Sequence, residues 1–277
     1  MTMAAFDYTK LDVPEILQVT FHPRPDDHAP PTSTNVIDYR IPVADEIEIG
    51  ARFHMTEDTS SANILFFHGN GEIVSDYDDI GPMYNEQNMS LLAVDFRGYG
   101  SSDGSPTITA MMADGIAALK EVKNWLSDNN RTGRLIVMGR SLGSAPALEV
   151  ASRYPDDIDA LIIESGFAET LPLLATLGVD VEKTGLTESD GFHHIEKIRQ
   201  VKKPTMILHA QNDQIIPISN GTVLQMECGS SSREIQIVPG AGHNNIIDVT
   251  GRMYFEVINQ FINKIGMRKR PKKVGVR

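Results

Sequence analysis

Cysteine, excess positive charge and long apolar runs are scarce in this sequence, and each shortage excludes a class of protein. The single cysteine, Cys228, cannot form a disulfide within the chain, so a disulfide framework is excluded and a reducing compartment is expected. The formal net charge of -12 argues against nucleic acid as the main partner, because phosphate backbones are bound through clustered lysines and arginines. The remaining composition, 41% hydrophobic and 22% charged, is that of an ordinary soluble globular protein.

No segment of the sequence has the pattern of a membrane span or a secretion signal. The longest apolar runs are about half the length of a membrane-spanning helix. Residues 1–19 contain charges and a proline where a signal peptide needs an unbroken apolar stretch, so we expect a cytoplasmic protein. The one strongly basic stretch is 267–277, which holds six of the 25 lysines and arginines and no acidic residue. It predicts a solvated, flexible tail or, alternatively, a weak contact with an acidic surface such as anionic lipid.

Six short apolar runs recur along the chain, and a polar turn and a longer segment follow each of them. Runs that are apolar almost throughout are typical of strands covered on both faces of a parallel sheet. Apolar residues from Met112 to Leu126 recur at steps of three and four, which predicts a helix packed on a sheet, and residues 142–153 and 251–265 predict further helices. The sequence thus predicts a single doubly wound α/β domain over residues 1–266, with a mainly parallel sheet. The six runs are ANILFF (62–67), LLAVDF (91–96), RLIVMG (134–139), ALIIES (160–165), TMILHA (205–210) and EIQIVP (234–239).

Two regions depart from this alternation. Ahead of the parallel core, residues 15–21, 36–43 and 46–55 mix polar and apolar side chains and are separated by tight turns, which favours antiparallel edge strands. Residues 167–203 are long for one crossover connection. They predict either a small cap over a site or one helix with long loops.

The pentapeptide Gly-Arg-Ser-Leu-Gly, residues 139–143, lies between the third apolar run and a predicted helix. The order strand, sharp turn, helix is what a nucleophile elbow needs, since its serine occupies a strained turn and small flanking residues let strand and helix approach closely. Gly139 and Gly143 meet that need. Ser141 is therefore a candidate catalytic nucleophile, and the alternative is a structural serine in the turn before a helix.

A serine nucleophile needs a histidine that takes its proton and a carboxylate that orients the histidine. Asp213 follows the fifth apolar run and His243 follows the sixth. Both are therefore expected at the carboxyl edge of the parallel sheet, where doubly wound folds gather their functional residues. Glu164, at the end of the fourth run, is the alternative acid.

An oxyanion that develops during acyl transfer needs hydrogen-bond donors, which are commonly two backbone N–H groups. One is expected from Leu142, the residue after the candidate nucleophile. The second is expected from the loop after the first apolar run, at Asn70 or, next in order, Gly71. His68 and Gly69 are expected to shape that turn.

Other polar residues near these motifs have structural interpretations. His193 and His194 lie in the segment that predicts a cap, where they either contact substrate or are polar surface residues. Asp95 and Arg97 are expected to hold their loop through hydrogen bonds, and Asp114 is expected at an exposed helix position. No pair of histidines or cysteines has ligand spacing with converging carboxylates, so a metal site is not expected.

Five motifs, taken in order, resemble the α/β-hydrolase superfamily of serine hydrolases. They span about residues 62–245, and the combination of HGN with RGYGxSxGxP is similar to small esterases and acyl-thioesterases, which include membrane-anchored depalmitoylating enzymes. The resemblance implies an α/β-hydrolase fold and hydrolysis of a carboxylic ester or thioester through an acyl-enzyme, without a cofactor. The anchored relatives carry an N-terminal apolar segment or a cysteine cluster, and this sequence has neither. The five motifs are FFHGNGE, DFRGYGSSDGSP, MGRSLGS, HAQNDQIIP and GAGHNN.

Three other functions are compatible with the sequence. A peptidase of the prolyl oligopeptidase type shares these motifs, but it usually needs an extra N-terminal domain for which this chain has no room. A noncatalytic receptor on a hydrolase scaffold commonly loses a residue of the triad, whereas Ser141, Asp213 and His243 are all present. The third is an interaction protein that its basic tail recruits to acidic partners. The sequence does not indicate the acyl length or the oligomeric state.

Overall fold

In the part of the chain that the computed structural model describes, residues 6–28, 31 and 33–267, eight strands form one sheet. The strands are β1 (Val36–Ala44), β2 (Ile47–His54), β3 (Ala62–Phe67), β4 (Met89–Val94), β5 (Leu135–Arg140), β6 (Ala160–Glu164), β7 (Thr205–Ala210) and β8 (Arg233–Val238). Their order across the sheet is β1-β2-β4-β3-β5-β6-β7-β8. β2 pairs antiparallel with both β1 and β4, and all other neighbours pair parallel. The prediction of a mainly parallel α/β sheet with antiparallel strands at one edge is confirmed.

Each of the six apolar runs forms one of the parallel strands, within two residues of the predicted bounds. The middle strands are buried along almost their whole length, as expected for strands covered on both faces. In the register of the sheet, Phe67 lies beside Gly139, and Arg140 lies beside Glu164. The carboxyl ends of these strands therefore meet at one edge, and the loops that follow them are brought together there.

Helices cover both faces of the sheet. The α-helices of the described residues are α1 (Pro14–Thr20), α2 (Gly81–Asn85), α3 (Ile108–Asp128), α4 (Ser144–Arg153), α5 (Thr170–Thr176), α6 (Val181–Thr184), α7 (His194–Gln200), α8 (Ser219–Glu227), α9 (Ile246–Thr250) and α10 (Arg252–Met267). One apolar core joins alternate strand residues with α1, α3, α4 and α7, and a second joins the opposite strand residues with α2, α9 and α10. The helices predicted over 112–126, 142–153 and 251–265 correspond to α3, α4 and α10.

The prediction of an edge strand over residues 15–21 is wrong, because these residues belong to helix α1. Pro14 occupies the first turn of the helix, where its fixed backbone angle favours helix and its missing N–H costs no hydrogen bond. Ile16 and Thr20, four residues apart, are the buried residues of α1. The mixture of polar and apolar residues that was interpreted as a strand pattern is therefore the amphipathic pattern of a short helix. The strands predicted over 36–43 and 46–55 correspond to β1 and β2.

The prediction that Asp114 is exposed is also wrong, because the residue is 3% exposed. Both of its oxygens accept hydrogen bonds from the guanidinium of Arg97, each at 2.7 Å. Burial raises the pKa of Asp114 above its ordinary value, and Arg97 only partly offsets this. Asp95 accepts a hydrogen bond from the Val74 N–H at 2.9 Å, so Asp95 and Arg97 both make the structural contacts that were predicted for them.

The segment 167–203 forms three short α-helices, α5, α6 and α7, rather than one helix with long loops. Its last helix is tied to α4 by a buried ion pair, in which Lys197 Nζ lies 2.9 Å from Glu149 Oε2. Tyr8, from the N-terminal segment, donates a hydrogen bond to the same carboxylate at 2.6 Å. The N-terminal segment, α4 and α7 are thus joined through one buried charged cluster.

The basic stretch 267–277, with its predicted flexible tail, lies outside the described residues apart from the backbone of Met267. None of the described helices combines the length and the apolar character that crossing a membrane requires.

Candidate active site

Ser141 occupies a sharp turn between strand β5 and helix α4. Its φ of 53° lies in the left-handed region, which non-glycine residues rarely adopt, and such strain is common at functional turns. A Cβ on Gly139 would lie 2.2 Å from the Gly143 carbonyl oxygen, and a Cβ on Gly143 would lie 2.0 Å from the Phe67 carbonyl oxygen. Both glycines of the pentapeptide are therefore required by close backbone approaches, as the sequence predicted.

The structure brings His243 and Asp213 to Ser141 in one hydrogen-bonded chain. His243 Nε2 lies 2.9 Å from Ser141 Oγ, and His243 Nδ1 lies 2.7 Å from Asp213 Oδ2. The other carboxylate oxygen, Asp213 Oδ1, accepts the N–H groups of Ile215 at 3.0 Å and Ile216 at 2.8 Å. Although burial opposes ionisation, the hydrogen bonds from His243 and from these two amides hold the pKa of Asp213 below its ordinary value. Asp213 is thus a carboxylate at neutral pH.

His209 is a second histidine beside Asp213, and it is not among the residues predicted for the site. It lies on β7 with Nε2 2.8 Å from the Ile216 carbonyl oxygen and 3.6 Å from Asp213 Oδ2. Burial lowers the pKa of His209 below its ordinary value, so the ring is neutral and Nε2 donates to the Ile216 carbonyl. His209 therefore holds the loop whose amides bind Asp213. The feature of the sequence that could have identified His209 is its position four residues before Asp213.

Asn70 lies in the loop after β3 and lines the same cavity as Ser141 and Leu142. Its side-chain oxygen accepts hydrogen bonds from the His22 N–H at 2.8 Å and the Tyr99 hydroxyl at 2.7 Å. The backbone N–H of Asn70 has no acceptor within the described part of the chain. The structure therefore fixes Asn70 by its side chain and leaves its N–H available to a ligand.

The other residues of this loop have structural contacts. His68 is fully buried, with Nδ1 2.8 Å from the Gly69 carbonyl oxygen and Nε2 3.2 Å from Asp95 Oδ1. Gly71, the alternative donor, has a φ of 76°, and its carbonyl oxygen accepts a hydrogen bond from Arg24 at 2.8 Å. Gly71 is not among the residues that line the cavity beside Ser141.

The cavity beside Ser141 has a volume of about 190 Å³ and mostly apolar walls. Its walls also include Thr20, the last residue of α1, which is not among the residues predicted for the site. No aspartate or glutamate is among the described residues that line it. Apart from Leu142, the apolar wall residues come from the segment after β6 and from the loop after β7, and they are Phe167, Leu173, Leu177, Ile215 and Ile216.

Glu164, the alternative acid, forms no hydrogen bond with His243 in the described structure. One of its oxygens accepts a hydrogen bond from the Tyr254 hydroxyl, and the other lies 3.2 Å from Arg140 Nε. Burial raises the pKa of Glu164 above its ordinary value, and Arg140 only partly offsets this. The structure therefore places Asp213, and not Glu164, against the histidine ring.

His193 and His194 do not line the cavity beside Ser141. His194 is buried, with Nδ1 2.7 Å from the Phe167 carbonyl oxygen, and burial lowers its pKa well below the ordinary value. The His193 ring stacks on Phe6 at 4.2 Å between centroids. Among the described residues, no cluster of histidine, cysteine and acidic side chains has the arrangement of a metal site.

Comparisons with known proteins agree with this fold. The sequence model of a family described as "Serine aminopeptidase, S33" matches residues 58–180. The chain is 31% identical to the human α/β hydrolase domain-containing protein 17B over 225 residues, which cover 78% of this chain and 71% of that protein. It is 32% identical to the Caenorhabditis elegans α/β hydrolase domain-containing protein aho-3 over 212 residues, which cover 74% of this chain and 58% of that protein.

Among solved structures, the esterase Pf2001 of Pyrococcus furiosus superposes with a TM-score of 0.68 at 18% identity, covering 89% of this chain and 98% of that one. At 18% identity, this similarity shows that the two proteins share a fold and nothing more. Together with the identity to the human relative over most of both chains, the fold and the order of the motifs establish that this chain belongs to the α/β-hydrolase superfamily.

Proposed function

We propose that the protein is a serine hydrolase that cleaves a carboxylic ester or thioester through an acyl-enzyme intermediate. The observation that carries the proposal is the hydrogen-bonded chain from Ser141 through His243 to Asp213, with separations of 2.9 Å and 2.7 Å. These separations lie within the range that proton transfer between a nucleophile and its base requires. The strained backbone of Ser141 adds support, since it presents the hydroxyl at the end of β5.

In the first half-reaction, Ser141 Oγ attacks the acyl carbonyl carbon while His243 Nε2 takes the hydroxyl proton. Asp213 keeps the Nδ1 proton on the side away from serine and stabilises the imidazolium that forms. The carbonyl electrons move to oxygen, and the N–H groups of Leu142 and Asn70 bind that oxyanion. When the tetrahedral intermediate collapses, His243 gives its proton to the leaving alcohol or thiol, which departs.

In the second half-reaction, water attacks the acyl-enzyme carbonyl and His243 Nε2 takes the proton of that water. The second tetrahedral intermediate places its oxyanion on the same two N–H groups. Its collapse breaks the bond to Ser141 Oγ, which regains the proton from His243, and releases the carboxylic acid. No metal or cofactor takes part in these steps.

The walls of the cavity support a neutral acyl group as the part of the substrate next to Ser141. Phe167, Leu173 and Leu177 belong to the segment 167–203, and we propose that this segment serves as a cap over the acyl group. Contact with such side chains contributes about 25 cal/mol for each Å² of apolar substrate surface removed from water. We also place the reaction in the cytoplasm, because the single cysteine, Cys228, is buried and unpaired.

The description of the matching family model favours a second candidate, an aminopeptidase. Such an enzyme binds a substrate ammonium group, and a desolvated ammonium needs a carboxylate partner. The described lining of the cavity contains no carboxylate and includes the cationic side chain of Arg140. The lining therefore favours an ester or thioester over an aminoacyl amide.

A fluorophosphonate probe tests the proposed nucleophile. It should label the wild type and fail to label Ser141→Ala, and labelling that survives the substitution would refute the assignment. A series of p-nitrophenyl esters of graded acyl length, with a thioester and an amino acid p-nitroanilide alongside, tests the substrate class. Turnover of the anilide in preference to every ester would favour the aminopeptidase.

A further inference from the structure

Arg140, the residue before the candidate nucleophile, has contacts that the proposed mechanism does not use. It is the last residue of β5, and its side chain is 13% exposed. Nη2 donates to the His243 carbonyl oxygen and to Asn244 Oδ1, each at 3.0 Å. Nε lies 3.2 Å from Glu164 Oε1, and Nη1 donates to Glu72 Oε1. One guanidinium thus contacts residues that follow or end three different strands.

Glu72 extends this connection to the loop that carries Asn70. Its second oxygen, Oε2, accepts the Gly69 N–H at 2.8 Å and the Tyr77 hydroxyl at 2.6 Å. A Cβ on Gly69 would lie 2.6 Å from Arg140 Nη1, so the loop lies against the guanidinium without space for a side chain. Glu72 therefore connects Arg140 with the loop that carries the proposed oxyanion donor.

The charges of this cluster are partly removed from water, since the side chains of Arg140, Glu72 and Glu164 are 13%, 24% and 3% exposed. That desolvation has a cost, which makes a purely stabilising role a poor explanation. Burial opposes the charge of Arg140, but the carboxylates of Glu72 and Glu164 raise the pKa of Arg140, so it stays protonated. Buried ion clusters of this kind are often no more stabilising than apolar side chains of similar volume. A guanidinium has five N–H donors in a planar fork, so it can hold several loops in fixed positions at once. Apolar side chains cannot do this, because they form no hydrogen bonds.

We infer that Arg140 is a positioning residue that sets the distance between the serine, the histidine loop and the oxyanion loop, with Glu72 as its link to the oxyanion loop. The inference rests on the proposed function. Arg140 itself transfers no proton and need not touch the substrate. Its backbone belongs to the turn of Ser141, its Nη2 holds the carbonyl of His243, and its Nη1 holds Glu72 and, through Glu72, the loop of Asn70.

The test compares Arg140→Ala with Arg97→Ala, a matched control that removes a guanidinium of similar exposure, 16%, from the ion pair with Asp114. Because a displacement of about 1 Å among catalytic groups can lower the rate on the order of 100-fold, we expect Arg140→Ala to lose about that factor in kcat and in the rate of fluorophosphonate labelling. KM should change less than kcat, since the apolar walls of the cavity remain and Arg140 is only one of the residues that line it. Arg97→Ala should keep a kcat close to that of the wild type.

Added guanidinium ion provides a readout that a merely structural residue would not give. It should restore part of the kcat of Arg140→Ala, because Glu72, Glu164 and the His243 carbonyl would still surround the vacated space, and it should not raise the kcat of Arg97→Ala. Arg140→Lys serves if the alanine variant does not fold. It keeps a positive charge for the two carboxylates, but one ammonium cannot reach every partner, so kcat should fall while the variant stays folded.

The outcomes separate the two proposals. A wild type that the probe does not label would overturn the proposed function and this inference with it. Equal labelling rates for the wild type and a folded Arg140→Ala or Arg140→Lys would overturn the inference alone. A loss of kcat that only follows the folded fraction in both variants would make Arg140 a structural residue and would also overturn it.

Discussion

Replacing Asp213 by asparagine should invert the hydrogen bonding of the candidate triad while leaving its shape unchanged. Asp213 Oδ1 accepts two backbone N–H groups, from Ile215 and Ile216, and Oδ2 accepts from His243 Nδ1. In Asp213→Asn the side-chain oxygen must stay with the two amides, because the NH₂ group cannot accept their hydrogen bonds. The NH₂ group then faces His243 Nδ1, which must become an acceptor.

The size of the effect follows from this change of tautomer. With Nδ1 as an acceptor, the proton of neutral His243 moves to Nε2, which lies 2.9 Å from Ser141 Oγ and can no longer take the serine proton. The same inversion in a serine protease lowers kcat by about 10⁴, so we expect a similar loss here, which corresponds to about 5 kcal/mol of transition-state stabilisation.

Steady-state kinetics on a p-nitrophenyl ester measure this loss, with circular dichroism to verify that the variant is folded. Glu164→Gln is the matched control, since Glu164 is equally buried and hydrogen-bonded but contacts Tyr254 and Arg140 instead of the histidine ring. Its kcat should fall far less than that of Asp213→Asn. If Glu164→Gln lost more activity than Asp213→Asn, the role of the orienting acid would pass to Glu164 and the predicted change of tautomer at His243 would be refuted.

Two further predictions concern stability, measured as the free energy of unfolding in denaturant. Gly143→Ala brings a methyl group 2.0 Å from the Phe67 carbonyl oxygen and should lower the free energy of unfolding by about 3 kcal/mol or more. Gly242→Ala is the control and should lower it little, because no neighbouring atom lies closer than 3.8 Å to the added methyl group. Equal losses in the two variants would contradict the close approach at Gly143. Burial, partly offset by Glu149, lowers the pKa of Lys197 from 10.5 to about 8. Between pH 8 and pH 10.5 the unfolded chain therefore binds more protons than the folded chain, so the free energy of unfolding rises with pH. From pH 7 to 9.5 the wild type should gain about 2 kcal/mol of stability relative to Lys197→Met. A stability difference that stays constant or falls over this range would contradict the prediction.

The parallel core could be predicted from the sequence because strands that are buried on both faces consist almost entirely of apolar residues. ILFF, LLAV and LIVM have no polar residue, and their short length between polar turns favours buried strands over buried helices, which are longer. The same order of elements predicted that Asp213 and His243 lie at one edge of the sheet, since they come shortly after the fifth and the sixth run. Their placement beside Ser141 agrees with that prediction, and their catalytic roles stay predictions.

The error at Asp114 and the missed contact between Arg140 and Glu72 occurred where the environment of a residue depends on distant parts of the chain. Asp114 lies on α3, and its burial is made possible by its pairing with Arg97, 17 residues away in the sequence. Arg140 and Glu72 are 68 residues apart, so no local pattern could connect them. Sequence spacing predicts which face of an element is apolar, but it does not predict which polar side chains find partners when that face is covered.

Residues 20–24 also have partners at the site that local sequence spacing does not predict. Thr20 lines the cavity beside Ser141, the His22 N–H holds the side chain of Asn70, and Arg24 donates to the Gly71 carbonyl oxygen. The loop that carries the proposed oxyanion donor is therefore held on one side by these residues and on the other by Glu72 and Arg140. Because a donor must be fixed before charge develops if it is to lower the barrier, the N-terminal segment is part of the candidate active site and not an accessory to the sheet.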